Sequence, residues 1–255
     1  MTTRVCATVT LAEGASRADA DRACASLGAL AGRVPELERS HAGVHLEGSL
    51  GAGDLTWDVA VRDGAALDAW SARMRGGSLA DFVRGAVGEG ASEAASEAAR
   101  AIADVEAWVV EPLARRVARP GVSGVSGVAG IKRTNLVRVL PDARESDVAR
   151  WSREVVALAH HVPAIRSFGL ARVRAFGPTE PRVVWTHAWE QEFESLDGLL
   201  RDYMASAYHW GWLDGWYDPE VPFRIVDVDL AHLYCPLAES VLAWDAAGVP
   251  EEVAA

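Results

Sequence analysis

Apolar residues recur along this chain in two periods, and each period appears twice. After Ser16, the residues Ala20, Ala23, Leu27, Leu30 and Val34 are spaced by three and four, the stripe of an amphipathic helix. After Ser146 the same spacing runs through Val148, Trp151, Val155, Leu158 and Val162, each 128 positions after its counterpart (148 − 20 through 162 − 34). Both stripes run into Val-Pro, at Val34-Pro35 and Val162-Pro163, where proline restricts the preceding residue and ends the helix. Ser16 with Asp19 predicts a capping box at the first helix.

Period-two segments flank these helices. Val5, Ala7, Val9 and Leu11 share one strand face, and the offset of 128 carries them onto Arg133, Asn135, Val137 and Val139. Downstream, Trp57, Val59 and Val61 are carried onto Trp185, His187 and Trp189. A second helix is predicted through Leu196, Leu199, Leu200, Tyr203 and Ala207. Its rougher N-terminal counterpart runs through Leu67, Trp70 and Met74, then resumes at Leu79, Phe82 and Val83. Final strands are predicted over 107–110 and 224–229.

Each half therefore reads as a ferredoxin-like unit with helices over one sheet face. The predicted fold class is α+β: tandem ferredoxin-like repeats that form an intramolecular dimeric α/β barrel. The expected domains are residues 1–118, an apolar scaffold repeat with an insertion near 85–104; a Gly/Ser/Val linker, 119–130; and 131–255, the repeat with the polar positions. At the places of Arg133, Asn135 and His187 the first half has Val5, Ala7 and Val59, so its pocket is expected to be apolar.

Composition narrows the function. Half of the 255 residues are apolar, enough for a core in each half, and a formal charge of −11 opposes binding to nucleic acid or anionic membranes. Cys6, Cys24 and Cys235 are odd in number and far apart, giving neither a disulfide framework nor a zinc pattern. No basic leader and no run of about 18 apolar residues occurs, and a cytoplasmic location is expected. GxGxxG after a strand, P-loop, HExxH and GxSxG signatures are absent.

The chemistry-bearing residues gather in the second half. Arg133 and Asn135 on one strand and Trp185, His187 and Trp189 on another point one way; with that face turned to the barrel interior they predict an aromatic-walled cavity with a few placed polar groups. Trp210, Trp212 and Trp216 follow His209 and could wall or lid it. A histidine suits proton transfer near neutral pH, a tyrosine hydroxyl can hold a developing enolate, and an arginine can bind a carboxylate. Structural alternatives stand beside each: Tyr203 as a core residue, His187 as a packed strand residue, His209 as a helix end, and Arg133 paired with Asp227 or Glu190.

Ile131-Lys-Arg-Thr-Asn-Leu-Val137, Val162-Pro-Ala-Ile165, Trp185-Thr-His187, Phe193-Glu-Ser195 and Asp202-Tyr203 followed by His209 together resemble the stress-responsive dimeric α/β barrel family, which includes olivetolic acid cyclase. The resemblance covers roughly residues 131–230. It implies that Tyr203, His209 and His187 are catalytic. Arg133 stands where the family often has a histidine, and Ser206-Ala207-Tyr208 replaces a common His-Pro-Ala run.

The expected function is a cofactor-independent cyclase, lyase or isomerase acting on a small carbonyl-containing substrate, with Arg133, Asn135, Trp185, Trp189 and Trp212 binding it. No cofactor or metal is expected, and a homodimer of the fused chain is compatible with the pattern. The competing readings are a non-catalytic stress or ligand-binding barrel, and a monooxygenase or haem binder of the same architecture.

Overall fold

A computed structural model describes residues 2–74, 76–89, 92–118, 130–245 and 247–253; most of the expected linker, 119–129, lies outside them. The chain divides into two compact units that interleave in sequence. The first comprises Met1–Glu47, Ala52–Val110 and Arg174–Val184, and the second Gly48–Gly51, Glu111–Val173 and Trp185–Ala255.

In the first unit β1 (Thr3–Leu11) leads to α1 (Arg17–Gly28), β2 (Leu37–Val44) and β3 (Leu55–Val61). Helices α2 (Gly64–Arg73), α3 (Leu79–Gly88) and α4 (Glu93–Ala101) precede β4 (Ile102–Arg116). The predicted capping box is present: Ser16 Oγ accepts from Asp19 N at 3.2 Å while Ser16 N donates to Asp19 Oδ2 at 2.8 Å. The strands lie in the order β2-β3-β1-β4. Val5, Ala7, Val9, Leu55, Trp57 and Val59 form an apolar core with α1 and α3. Within the tract 85–104, α4 packs on α1 and α3 and buries Ala95, Ala98 and Ala101.

The second unit holds β5 (Gly130–Val139), α5 (Glu145–His161), β6 (Ile165–Phe176), β7 (His187–Phe193) and β8 (Val226–Leu237). Helix α5 carries Glu145 and Asp147 in its first turn and His160 and His161 in its last, which suits its dipole, and it buries Trp151, Val155 and Leu158. The strand order β6-β7-β5-β8 matches that of the first unit, the order of a ferredoxin-like α+β fold. A short π-type turn, Gly198–Tyr203, stands where a regular second helix was predicted through Ala207, and a second such turn, His209–Leu213, follows it. Leu199 and Tyr203 of that stripe are buried, whereas Leu200 is exposed.

The ladders correct one sequence correspondence. Val5 faces Val59 in the first unit and Arg133 faces Gln191 in the second, so the offset is 128 on the first strand (133 − 5) and 132 on its neighbour (191 − 59). The four extra residues lie in β6, which has 12 residues where β2 has 8. His187 therefore occupies the ladder position of Leu55, and Val59 corresponds to Gln191. Four is even, so the slip leaves every side chain on its expected face.

Among the described residues no helix is long and apolar enough to cross a membrane.

Candidate functional site

Strand pleating brings Arg133 and Asn135 of β5 onto one face with Gln191, Trp189 and His187 of β7 and with Tyr234 and His232 of β8. This is the face beneath α5, since Trp151 of that helix meets His187 edge to face at 5.2 Å. Arg133 is its centre. Its Nη1 donates to Gln191 Oε1 at 2.5 Å and its Nη2 to His232 Nε2 at 3.1 Å, while the guanidinium carbon sits 5.0 Å from the Tyr203 ring centre. The carboxylates considered for Arg133 are engaged elsewhere: Glu190 with Lys132 at 2.9 Å, and Asp227 with Arg138 at 2.5 Å.

The π-type turns place the remaining members. Tyr203, buried at the end of the first, meets the His209 ring edge to face at 4.7 Å. The contact is ring to ring. His209 Nδ1 lies 3.8 Å from Asp214 Oδ1. The turns are pinned to α5 by Trp216, whose Nε1 donates to Glu154 Oε2 at 2.6 Å.

Burial and the Arg133 charge set the protonation states. Burial, then Arg133, lowers His209 to about 4. His232 is lowered to about 2 by burial, Arg133 and His209 in that order. Both imidazoles are therefore neutral at pH 7. Burial raises the Tyr203 phenol, with Arg133 opposing it. The phenol of Tyr217 is pushed up to about 12 by burial and by Tyr203, with Arg133, Trp151 and Asn135 acting the other way. Both tyrosines are hydrogen-bond donors at neutral pH.

The structure thus joins Arg133, Asn135, Tyr203 and His209 in one cluster with Trp189. His187 lies on the same face but four residues along β7 from Gln191, about 13 Å at the usual strand rise. Its Nδ1 is 3.0 Å from Thr186 Oγ1, and burial, then Arg172, lowers it to about 4. Trp185 is buried just before β7 begins. Trp212 is 56% exposed and stacks on Tyr208, which in turn stacks on His161. It forms part of the surface beside the cluster.

Sequence reasoning missed Gln191, His232, Tyr217 and Asp214. Gln191 continues the alternation of His187 and Trp189 and was within reach. His232 was missed because the last strand was expected over 224–229, whereas β8 extends to Leu237.

No family model matches the chain, and no curated protein matches it significantly. Solved structures share its fold. An anthrone oxidase-like protein is 12% identical with a TM-score of 0.56, the match covering 93% of this chain and 91% of that one. A "Putative monooxygenase" from Fusobacterium nucleatum subsp. nucleatum is 10% identical with a TM-score of 0.51, covering 92% of each chain. At these identities the likeness establishes the α/β ferredoxin-like fold.

Proposed function

We propose that the second unit is a small-molecule enzyme site that removes a proton next to a carbonyl and stabilises the resulting enolate. The observation that supports this best is the contact of neutral His209 with Tyr203 beside the Arg133 guanidinium. In this reading a substrate C–H bond breaks and its proton passes to His209 Nε2. The electron pair moves into a new carbon–carbon double bond, and the carbonyl oxygen takes the charge. Asp214, beside Nδ1, favours the imidazolium that forms. Arg133 and the tyrosine hydroxyls supply positive potential and donors to the enolate oxygen. The enolate carbon then bonds to a second carbonyl carbon as its own C=O re-forms. The second carbonyl's π pair moves onto its oxygen, which takes the proton back from His209. This is the cyclase outcome that the resemblance to the barrel family implies. In the same reading the chain is a duplicated ferredoxin-like unit whose first copy, with Val5, Ala7 and Val59 at the core, became scaffold.

The names of the two solved structures favour a second outcome for the same enolate, capture by dioxygen. A methylene conjugated to an aromatic ketone through the rings would become a carbonyl, one oxygen atom entering the product and the other leaving as water with the two methylene hydrogens. No external reductant is required.

The test is proton exchange. Wild-type protein in D2O should speed the loss of the methylene-proton NMR signal of a 1,3-diketone, or of an anthrone, whose methylene is conjugated to its ketone through the aromatic rings. No acceleration across such a panel removes the proposal. Oxygen uptake with the anthrone would select the second outcome.

A further inference from the structure

Four lysine and arginine side chains are enclosed among the described residues: Arg4, Arg115, Lys132 and Arg133. Three of them meet acids. Arg4 Nη1 is 2.9 Å from Asp58 Oδ1, Lys132 Nζ is 2.9 Å from Glu190 Oε1, and Arg115 pairs with Asp245. Arg133 is different. Its partners are the amide of Gln191, the imidazole of His232 and the ring of Tyr203, and among the described residues it forms no ion pair. Its Nε has no hydrogen-bond partner although the side chain is 2% exposed.

A buried lysine or histidine can escape such a position by losing its proton. A guanidinium cannot, so the charge persists and its desolvation stays uncompensated. His232 and His209 do not neutralise it, because the same charge helps to keep them unprotonated. The Tyr217 hydroxyl, held as a donor, lies next to Asn135 in the field of the same guanidinium. The cluster is reachable from outside, since His209, Tyr217 and His232 are each partly exposed. The site therefore lacks one negative charge and has an unused donor, Arg133 Nε, to offer it.

We propose that Arg133 binds a carboxylate of the substrate, with the Tyr217 hydroxyl as a second donor, so that the second unit takes small carboxylic acids. This rests on the second unit being a small-molecule site, as argued above, and adds the class of molecule. Charge-assisted hydrogen bonds from guanidinium to carboxylate are about twice as strong as neutral ones and supply the missing counter-ion. The amide of Gln191 and the imidazole of His232 hold the guanidinium from its two terminal nitrogens, which leaves the Nε edge to the ligand.

The experiment is calorimetric titration of the full-length protein at pH 7 with benzoate and with its neutral isostere benzamide. Benzoate should bind at least about tenfold more tightly, a difference of one charged contact. Arg133→Gln should bring the two affinities within about twofold, and Tyr217→Phe should weaken benzoate alone by roughly three- to tenfold. Equal affinity of the two probes for the wild type, no benzoate binding at about 10 mM, or a preference that survives in folded Arg133→Gln overturns the proposal. The wild-type comparison decides even if Arg133→Gln fails to fold. Proton exchange on a neutral diketone without benzoate binding sinks this proposal alone. Benzoate binding without exchange sinks the proton-transfer reading alone.

Discussion

Lys132 and Arg133 are neighbours on β5 that carry the same charge to opposite faces of one sheet, yet only Lys132 meets an acid, Glu190 at 2.9 Å. The two residues should therefore respond differently to truncation. Lys132→Ala removes a buried cation that faces the Glu190 carboxylate and should cost roughly 3 kcal/mol or more in denaturant unfolding. Arg133→Met removes an unpaired buried charge and should leave stability within about 1 kcal/mol of the wild type, or raise it. An equal loss in both variants would mean that Arg133 is a structural member of the core.

The buried histidines make the folded state sensitive to acid. His187 is 6% exposed and lowered from 6.5 to about 4, chiefly by burial. As pH falls through 6.5 the unfolded chain takes up a proton that the folded chain refuses. Stability should then drop down to about pH 4 and level off below it. The full shift corresponds to roughly 3 kcal/mol. His209 and His232 add to the same slope, so His187→Leu should flatten it in part. Denaturant midpoints measured between pH 7 and pH 4 check this, and an unchanged slope in the variant would argue against it.

Proton abstraction needs neutral His209, whose pKa is lowered to about 4. The exchange rate should therefore be flat from pH 7 down to about pH 5 and fall as the imidazole protonates near 4. A limb centred near 6.5 would place the base in a more exposed, solvated histidine.

Trp216 anchors the segment that carries Tyr203 and His209. Its indole donates to the Glu154 carboxylate at 2.6 Å, and hydrogen bonds to charged groups are worth roughly 1.5–3 kcal/mol. Trp216→Phe should lose about that much and speed amide hydrogen exchange across residues 198–217 before the rest of the unit. Uniform protection would show that packing alone holds the turns.

The sequence pattern anticipated the faces of the strands better than their registers. Arg133, Asn135, His187 and Trp189 do share one face, because alternation survives any even shift. That Gln191 shares this face follows from alternation, but its pairing opposite Arg133 was not legible, since β6 is four residues longer than β2 and nothing in its apolar pattern marks the extra length. His232 was missed because the last strand was ended at Asp229, whereas β8 runs on to Leu237. The face itself was legible but not its cover: the polar residues lie beneath α5, as Trp151 against His187 shows. The stripe of Leu199 and Tyr203 gave the buried side of the second helical segment, while its break into two π-type turns depends on local packing that periodicity does not encode.

The central claim, that His209 moves a proton from carbon, is tested most directly by comparing His209→Ala with the wild type in the D2O exchange assay on one responsive ketone. A positioned base contributes about 10²- to 10⁴-fold, so the variant should exchange at least about 100-fold more slowly while keeping its circular dichroism spectrum. Exchange at the wild-type rate in folded His209→Ala would contradict the claim.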